Sequence, residues 1–322
     1  MRKLLLALIV VILLPLTIYA ISIYKTIEQD GVKDVMLQEP WPITVEEEPH
    51  PQDSEPTSSE EEVSSAAPQS LKEVEVTKTP QSTKEANDVK PLPIDKPKYT
   101  KIPILMYHVI EDYSGTYEEL YVSPQVFYQQ LEYLKEQGYH TVKLQDVLDH
   151  WHNGKDLPEK PIVLSFDDGY RSMYTAALPI LTEFEYQGTF FLHTNNIDTA
   201  GGLAKEMIQE MVASGMEIGS HTLSHPDLTK ISTTRLQQEL IDSKNILSEI
   251  TGCSIQTFAY PAGRYNKEVL VQVEAAGYRG AVTTEYGSAS AEQNPFCLKR
   301  IRINKSDGVK GFVKKLQANE PK

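Results

Sequence analysis

The sequence has few cysteines and no excess of positive charge. Only Cys253 and Cys297 occur among 322 residues, and neither stands in a metal-ligand spacing, which argues against a thiolate metal centre. The sequence allows either a disulfide between them or two free thiols, because a large domain does not depend on one covalent link. The net charge of −14 argues against nucleic acid as a partner, since phosphate binding needs a basic face.

The N-terminal 25 residues are strongly apolar. Arg2 and Lys3 precede a 21-residue apolar run from Leu4 to Tyr24, which matches the thickness of a bilayer core. The positive charges before the run predict that they stay in the cytoplasm and that everything after Lys25 lies outside. We therefore expect residues 1–25 to be an uncleaved transmembrane signal anchor in the cell membrane. The alternative is a cleaved signal peptide and a secreted protein.

Residues 26–100 have the composition of a linker. They contain 17 acidic and 7 lysine side chains, and they are dense in proline, serine and glutamate without helical or strand periodicity. This composition predicts a disordered, extended tether, because like charges repel and prolines stiffen the chain. The catalytic domain is therefore expected in residues 101–322, and no internal repeat is visible in it.

From residue 101 onward, short apolar runs alternate with amphipathic segments, as in parallel strands joined by helices. The pattern predicts seven strands, over residues 102–107, 161–166, 189–192, 216–220, 256–260, 279–283 and 299–303. It predicts helices over residues 124–137, 145–152, 173–185, 203–214, 233–250 and 267–276. Seven strands favour an α/β barrel with one position missing or irregular, and a doubly wound open sheet is the alternative.

Polar side chains follow several of the predicted strands. His108 follows ILMY, Asp167 and Asp168 follow VLSF, His193 follows FFL, and His221 follows EIGS. Core filling is a poor explanation for them, because an unpaired buried carboxylate or imidazole is costly. In a barrel, the loops after the strands share one face, so we expect these side chains to form a reactive cluster there.

Two motifs carry the strongest signal. In SFDDG, two adjacent carboxylates leave an apolar strand, although capping and turn aspartates are the ordinary alternative. In SHTLSH, His221 and His225 stand four residues apart at a strand exit. One helical turn over Thr222 to His225 would direct both imidazoles to the same side, where they can share a metal with a carboxylate.

The motifs SFDDG, SHTLSH and FAYPAG, in this order, resemble those of the NodB-type polysaccharide deacetylases of carbohydrate esterase family 4. The resemblance covers residues 101 to 305 and implies a distorted (β/α)7 barrel. It also implies a divalent, zinc-like metal held by Asp168, His221 and His225, with Asp167 as the general base. The backbone N–H of Ala262 would contact the oxyanion.

Two departures from the family pattern concern proton transfer. Ala259 stands where an arginine usually orients the catalytic aspartate; Arg264, Arg300 or Arg302 could replace it, and Arg302 is the preferred choice. We expect Arg302 and Tyr260 to help position substrate. No histidine follows His225 to act as general acid. The segment PILMYH is similar to poly-N-acetylglucosamine deacetylases of biofilm matrices, in which an early histidine takes this role, so His108 is the predicted acid and His193 a weaker candidate.

The leading hypothesis is therefore a membrane-anchored, extracytoplasmic hydrolase. It would remove N-acetyl groups from a glucosamine-containing glycan, either a matrix polymer or peptidoglycan, and act as a monomer. An O-acetyl esterase on the same metal site is the alternative within the enzyme class. Outside that class, the alternatives are a non-catalytic glycan-binding wall protein and an adhesin that acts through the acidic linker. The complete set of Asp167, Asp168, His221 and His225 favours an enzyme.

Overall fold

The computed structural model describes residues 97–320. The predicted membrane anchor and nearly all of the predicted linker lie outside these residues. Within residues 97–320, no helix combines the length and the hydropathy needed to cross a bilayer. The fold described below is therefore that of the predicted catalytic domain.

Seven parallel strands close into a barrel. They are β1 (Ile104–Tyr107), β2 (Pro161–Phe166), β3 (Thr189–Leu192), β4 (Glu217–Ser220), β5 (Thr257–Ala259), β6 (Gly280–Tyr286) and β7 (Leu298–Arg302). β1 pairs with both β2 and β7, so these seven strands form a closed ring. The predicted barrel is thus confirmed, and the open doubly wound sheet is wrong.

The barrel is irregular on one side. β5 contains only three residues, and the register between β6 and β7 shifts between Val282 and Tyr286. A two-residue strand at His140–Thr141 extends the sheet beyond β2. Two further short pairs lie outside the barrel: Lys101–Ile102 with Ala289–Ser290, and Val109–Ile110 with Tyr121–Val122. The second pair places Tyr121 beside the segment that follows His108.

Helices surround the barrel in the order that the sequence predicts. They are α1 (Pro124–Glu136), α2 (Leu144–Asn153), α3 (Leu178–Glu183), α4 (Lys205–Ala213), α5 (Thr233–Thr251), α6 (Lys267–Ala275) and α7 (Gly308–Ala318). A π-helical turn over Met173–Ala177 leads into α3. The side chains of Ser123 and Asn266 cap α1 and α6 by accepting backbone N–H bonds, as their positions predict.

The last helix, α7, has no counterpart among the sequence predictions. Its segment GVKGFVKKLQA contains Gly308 and Gly311, and glycine lowers helix propensity by about 1 kcal/mol relative to alanine. Phe312 and Leu316 are nevertheless fully buried against the barrel. Tertiary packing of this apolar face therefore decides the helix where local propensity does not.

Successive strand residues alternate between two apolar cores. Leu105, Leu164 and Phe190 belong to the core between the strands and the helices, whereas Val163 and Phe191 belong to a separate, smaller cluster. This alternation follows from the two-residue period of a strand, which directs every second side chain into the barrel. The interior cluster lies beneath the site described next.

Candidate active site

The predicted reactive side chains gather at the carboxyl ends of the strands. His108 follows β1, Asp167 and Asp168 follow β2, His193 follows β3, and His221 follows β4. Because all seven strands are parallel, these ends meet on one face of the barrel. The expected clustering of these residues is therefore observed.

Asp168 lies between the two histidines of the SHTLSH motif. Its Oδ1 is 3.3 Å from His221 Nε2 and 3.5 Å from His225 Nε2. One ligand atom from each of the three residues lies within 4.8 Å of the other two. Asp168 reaches this position because its φ of 80° and the φ of 75° at Gly169 turn the chain sharply after β2. Asp tolerates this left-handed conformation better than most residues, and glycine adopts it freely.

The environment of His221 fits a bound cation. Its Nδ1 is 2.7 Å from the Ala259 carbonyl oxygen, which can only accept, so Nδ1 carries the proton and Nε2 faces Asp168. Burial opposes a charge on the imidazole, but the Asp168 and Asp167 carboxylates outweigh it and raise the pKa of His221. The same negative charge favours a divalent ion, and an imidazole fixed through its other nitrogen is typical of zinc sites.

The loop that carries His225 differs from the expected helical turn. Residues 221–225 form no helix, and both Thr222 (φ 75°) and His225 (φ 59°) are left-handed. Left-handed backbone at a β-branched residue is rare and costs about 1–3 kcal/mol, so other contacts must hold it in place. The His225 N–H donates to Thr222 Oγ1 at 2.9 Å, which is one such contact. The two imidazoles thus converge through an irregular loop.

Asp167 is held by an arginine inside the barrel. Arg300 donates from two guanidinium nitrogens to the two carboxylate oxygens at 2.7 and 2.6 Å, in a fork that matches the carboxylate. Its other bonds go to Ser165 Oγ and to the Thr283 carbonyl. Burial alone would raise the pKa of Asp167, but Arg300 outweighs it and holds that pKa below the usual range. Asp167 is therefore held in its charged form.

The preference for Arg302 as the partner of Asp167 is wrong. Arg302 donates from Nε to Asn304 Oδ1 at 3.1 Å, nearer the barrel rim. Arg300 and Arg302 are on the same side of β7 because strand side chains repeat every two residues. Arg300 lies two residues before Arg302 on β7 and is therefore deeper in the barrel, so its long side chain extends toward the rim to contact Asp167. The role of Arg302 in binding substrate stays a prediction.

Tyr260 lies in the buried core of the fold. Its side chain is fully buried, its hydroxyl donates to the Phe296 carbonyl at 3.0 Å, and its backbone N–H donates to the Val282 carbonyl. Both of its donors are therefore used within the fold, which corrects the substrate-positioning prediction. Ala262, two residues on, has a left-handed φ of 51° in the turn after β5. Its role as an oxyanion donor stays a prediction.

His108 and His193 both keep a buried ring nitrogen without a partner. Nδ1 of each histidine has no hydrogen-bond partner among the residues that the structure describes. Burial lowers the pKa of His108, against the opposing effect of the Asp168 and Asp167 carboxylates. Burial also lowers the pKa of His193, to about 4, and its ring lies 5.8 Å from that of His225. Both imidazoles thus lie within the electrostatic reach of the aspartates.

Two residues at the site are not part of the motifs. Arg300 was one of three arginines proposed to replace the missing one, and its burial against Asp167 distinguishes it from Arg264 and Arg302. Glu239 is fully buried in α5 and accepts hydrogen bonds from the SHTLSH loop. No local sequence signal marks it, because an acidic residue in a helix is ordinary. The two cysteines are free thiols, Cys253 exposed and Cys297 half-buried.

A closed parallel barrel with a buried carboxylate and an Asp-His-His cluster at its C-terminal face defines a candidate hydrolase site, and the cluster could hold a divalent ion. Comparisons with known proteins agree with a hydrolase. The profile of the polysaccharide deacetylase family matches residues 154–281. A Bacillus subtilis (strain 168) protein named as a polysaccharide deacetylase is 35% identical over 214 residues, covering 66% of this chain and 75% of that protein.

Further relatives extend the comparison. The Streptococcus pyogenes deacetylase PplD, solved in complex with acetate, has a TM-score of 0.64 and 34% identity, covering 69% of this chain and 99% of that one. The poly-beta-1,6-N-acetyl-D-glucosamine N-deacetylase of Staphylococcus aureus (strain MRSA252) is 26% identical, covering 60% of this chain and 71% of that protein. The chain belongs to the polysaccharide deacetylase family, and it is a deacetylase of the hydrolase class.

Proposed function

We propose that this protein removes N-acetyl groups from a polysaccharide that contains N-acetylglucosamine, using a bound divalent metal. The observation that carries the proposal is the juxtaposition of two differently held aspartates. Arg300 holds Asp167 in its charged form, while Asp168 faces the Nε2 atoms of His221 and His225. One aspartate is thus a base, and the other is a ligand.

Asp168, His221 and His225 would hold the metal, and zinc suits two imidazoles and one carboxylate. A metal held there supplies polarisation of the acetyl carbonyl and of water, which makes both more reactive. His221 is fixed for this task by its bond to the Ala259 carbonyl. His225 is the most exposed of the three, with 38% of its side chain accessible, so the open side of the site lies next to it.

The proton transfers fall to Asp167 and His108. Asp167 accepts a proton from water as the water oxygen bonds to the acetyl carbon, and Arg300 keeps the Asp167 carboxylate in one orientation while this happens. The C–N bond then breaks, and His108 gives a proton to the leaving amine, releasing acetate and the free amino sugar. The Ala262 N–H donates to the oxygen of the acetyl group as negative charge develops there.

The named activities of relatives support the choice of substrate. The Staphylococcus aureus relative is an N-deacetylase of poly-beta-1,6-N-acetyl-D-glucosamine, and the match spans most of that protein. The second candidate, O-acetyl ester hydrolysis, needs the same base and metal but little help from an acid. A buried histidine with an unpartnered Nδ1 near the aspartates favours the amide, whose leaving group must be protonated.

We propose further that the protein acts as a monomer outside the cell and is tethered by residues 1–25. The support is the sequence pattern of two positive charges followed by an apolar run of bilayer length. The acidic residues 26–100 would then hold the catalytic domain away from the membrane surface. Protease treatment of intact cells tests this topology: the domain should be shed, and a domain protected from protease would contradict it.

The purified protein tests the activity itself. Its rates should be compared side by side on poly-N-acetylglucosamine, chitooligomers, peptidoglycan and an O-acetylated glycan, by measuring released acetate and new amines. We expect acetate and amine in equal amounts from an N-acetylglucosamine polymer, and loss of activity after chelation. Full activity of a metal-free preparation would refute the metal assignment, and acetate without new amine would favour the esterase.

A further inference from the structure

A buried carboxylate lies against the loop that carries His221 and His225. Glu239, in the second turn of α5, is fully buried, whereas its cationic partner Arg235 is about half exposed. None of the catalytic steps proposed above uses Glu239. A charge buried in this way is costly unless its hydrogen bonds are satisfied, so its partners indicate its purpose.

The partners of Glu239 are the residues between the two metal-binding histidines. The backbone N–H groups of Leu223 and Ser224 both donate to Glu239 Oε2, at 2.9 and 2.8 Å. The Ser224 hydroxyl donates to Oε1 at 2.6 Å. A single side chain thus accepts from two consecutive backbone groups of the loop.

These acceptors support the loop together with the hydrogen bonds that its Thr222 and Leu223 carbonyls accept from the Thr194 and Asn195 N–H groups. The His221 N–H donates to the Leu192 carbonyl at the end of β3, and the Thr222 N–H donates to the Ser220 hydroxyl at the end of its own strand, β4. The His225 N–H donates to the Thr222 hydroxyl. The two N–H groups left over are those bound by Glu239. Both Thr222 and His225 are left-handed, with φ of 75° and 59°, and an unsupported loop would relax from this conformation.

We infer that Glu239 is a positioning residue of the metal site, which holds His225 at Asp168 by fixing the backbone of residues 223 and 224. This inference rests on the proposed function, because it assumes that Asp168, His221 and His225 bind the metal. Glu239 acts through the loop and contacts neither substrate nor metal. Removing such support for ligands typically weakens metal binding by about 10- to 100-fold.

Glu217 provides a matched control at the other end of the barrel. It is also a buried carboxylate, and it accepts from Thr189 Oγ1, Thr257 Oγ1 and the Gln145 N–H at 2.9, 2.7 and 3.2 Å. It begins β4, whereas His221 follows the end of the same strand. Replacing Glu217 therefore measures how much a buried carboxylate contributes to stability when it does not contact the His221–His225 loop.

The experiment measures zinc affinity and thermal stability on the full-length protein. Zinc affinity is determined by competition with a chromophoric chelator, and the melting temperature is measured on the metal-free protein. We expect Glu239→Ala to weaken zinc binding by about 10- to 100-fold. Glu217→Ala should lower the melting temperature but leave the zinc affinity unchanged.

Two conservative variants separate the hydrogen bonds of Glu239 from its charge. Glu239→Gln keeps the length and one acceptor oxygen, so it should restore most of the zinc affinity. Glu239→Asp keeps the charge but is too short to reach both N–H groups, so it should bind zinc less tightly than Glu239→Gln. This order also carries the test if Glu239→Ala fails to fold.

The outcomes distinguish this inference from the proposed function. Failure of the wild-type protein to bind zinc would overturn both. Tight zinc binding by the wild type together with unchanged affinity in Glu239→Ala would overturn only the role of Glu239. So would equal loss of affinity in Glu217→Ala and Glu239→Ala, or tighter binding by Glu239→Asp than by Glu239→Gln.

Discussion

Replacing Arg300 with methionine should damage both stability and catalysis. The change removes two hydrogen bonds to Asp167 and the bonds to Ser165 Oγ and the Thr283 carbonyl, all within the barrel. It leaves a buried carboxylate without its cation. Breaking a buried ion pair from one side costs about 3–5 kcal/mol, and we expect a loss of this size in the free energy of unfolding.

The loss should depend on pH in a defined direction. In the wild type the pKa of Asp167 is lowered, so the pair stabilises the fold above the unfolded value of about 3.9 and is lost as the pH falls below it. In Arg300→Met, burial is opposed only by the weaker effects of His221 and His108, so that pKa rises. The deficit of the variant should therefore be small in acid and should grow as the pH rises through about 3.9 toward neutrality. The acidic limb of its pH–rate profile should move to higher pH, since Asp167 must be charged to act.

Urea unfolding at several pH values measures the stability, and a double-mutant cycle isolates the pair. Asp167→Asn with Arg300→Met should be more stable than the sum of the single losses predicts, because no lone charge remains. Arg302→Met is the matched control, since Arg302 makes no bond to Asp167, and it should cost far less. Additive single losses, or equal losses for the two arginines, would refute the reasoning.

Three other predictions concern the acid, the metal and the linker. His108→Ala should lower kcat on an N-acetyl substrate by about 10²- to 10⁴-fold but largely spare an activated O-acetyl ester; equal losses would move the role to His193. The alkaline limb of the amide pH profile should lie below about 6.5, because burial lowers the pKa of His108 and activity is lost as its proton leaves. His225→Ala should abolish tight zinc binding, measured with a chelator, because three ligands leave no spare; unchanged affinity would contradict the site. Removing residues 31–98 should affect immobilised polymer only, and a lost rate on soluble oligomers would contradict the domain boundary.

The sequence was sufficient to predict the barrel strands and the clustering of polar side chains at their carboxyl ends. The apolar runs of all seven strands correspond to observed strands, because a buried parallel strand leaves a clear local signal. Asp167 and Asp168 were recognisable because SFDDG occurs together with SHTLSH and FAYPAG, since capping and turn aspartates after a strand are ordinary on their own. His221 and His225 were recognisable by their spacing, and parallel strand ends must meet on one face.

Other features of the fold and site depend on contacts between residues that are distant in the sequence, so only the folded structure decides them. Arg300 and Arg302 look alike on the strand, and the depth of each in the barrel decides which reaches Asp167. The sequence suggested that Tyr260 contacts substrate, but its hydroxyl donates to the Phe296 carbonyl within the fold. The helix α7 is weak by propensity and forms because Phe312 and Leu316 are buried.

The SHTLSH loop shows the same division most clearly. Sequence spacing indicated that His221 and His225 act together, but it suggested a helical turn. The observed loop has two left-handed residues, which local propensity disfavours, and two of its N–H groups are held by Glu239 from a helix that follows later in the chain. Residue type and order therefore determined which groups meet, while long-range hydrogen bonds decided the backbone conformation that brings them together.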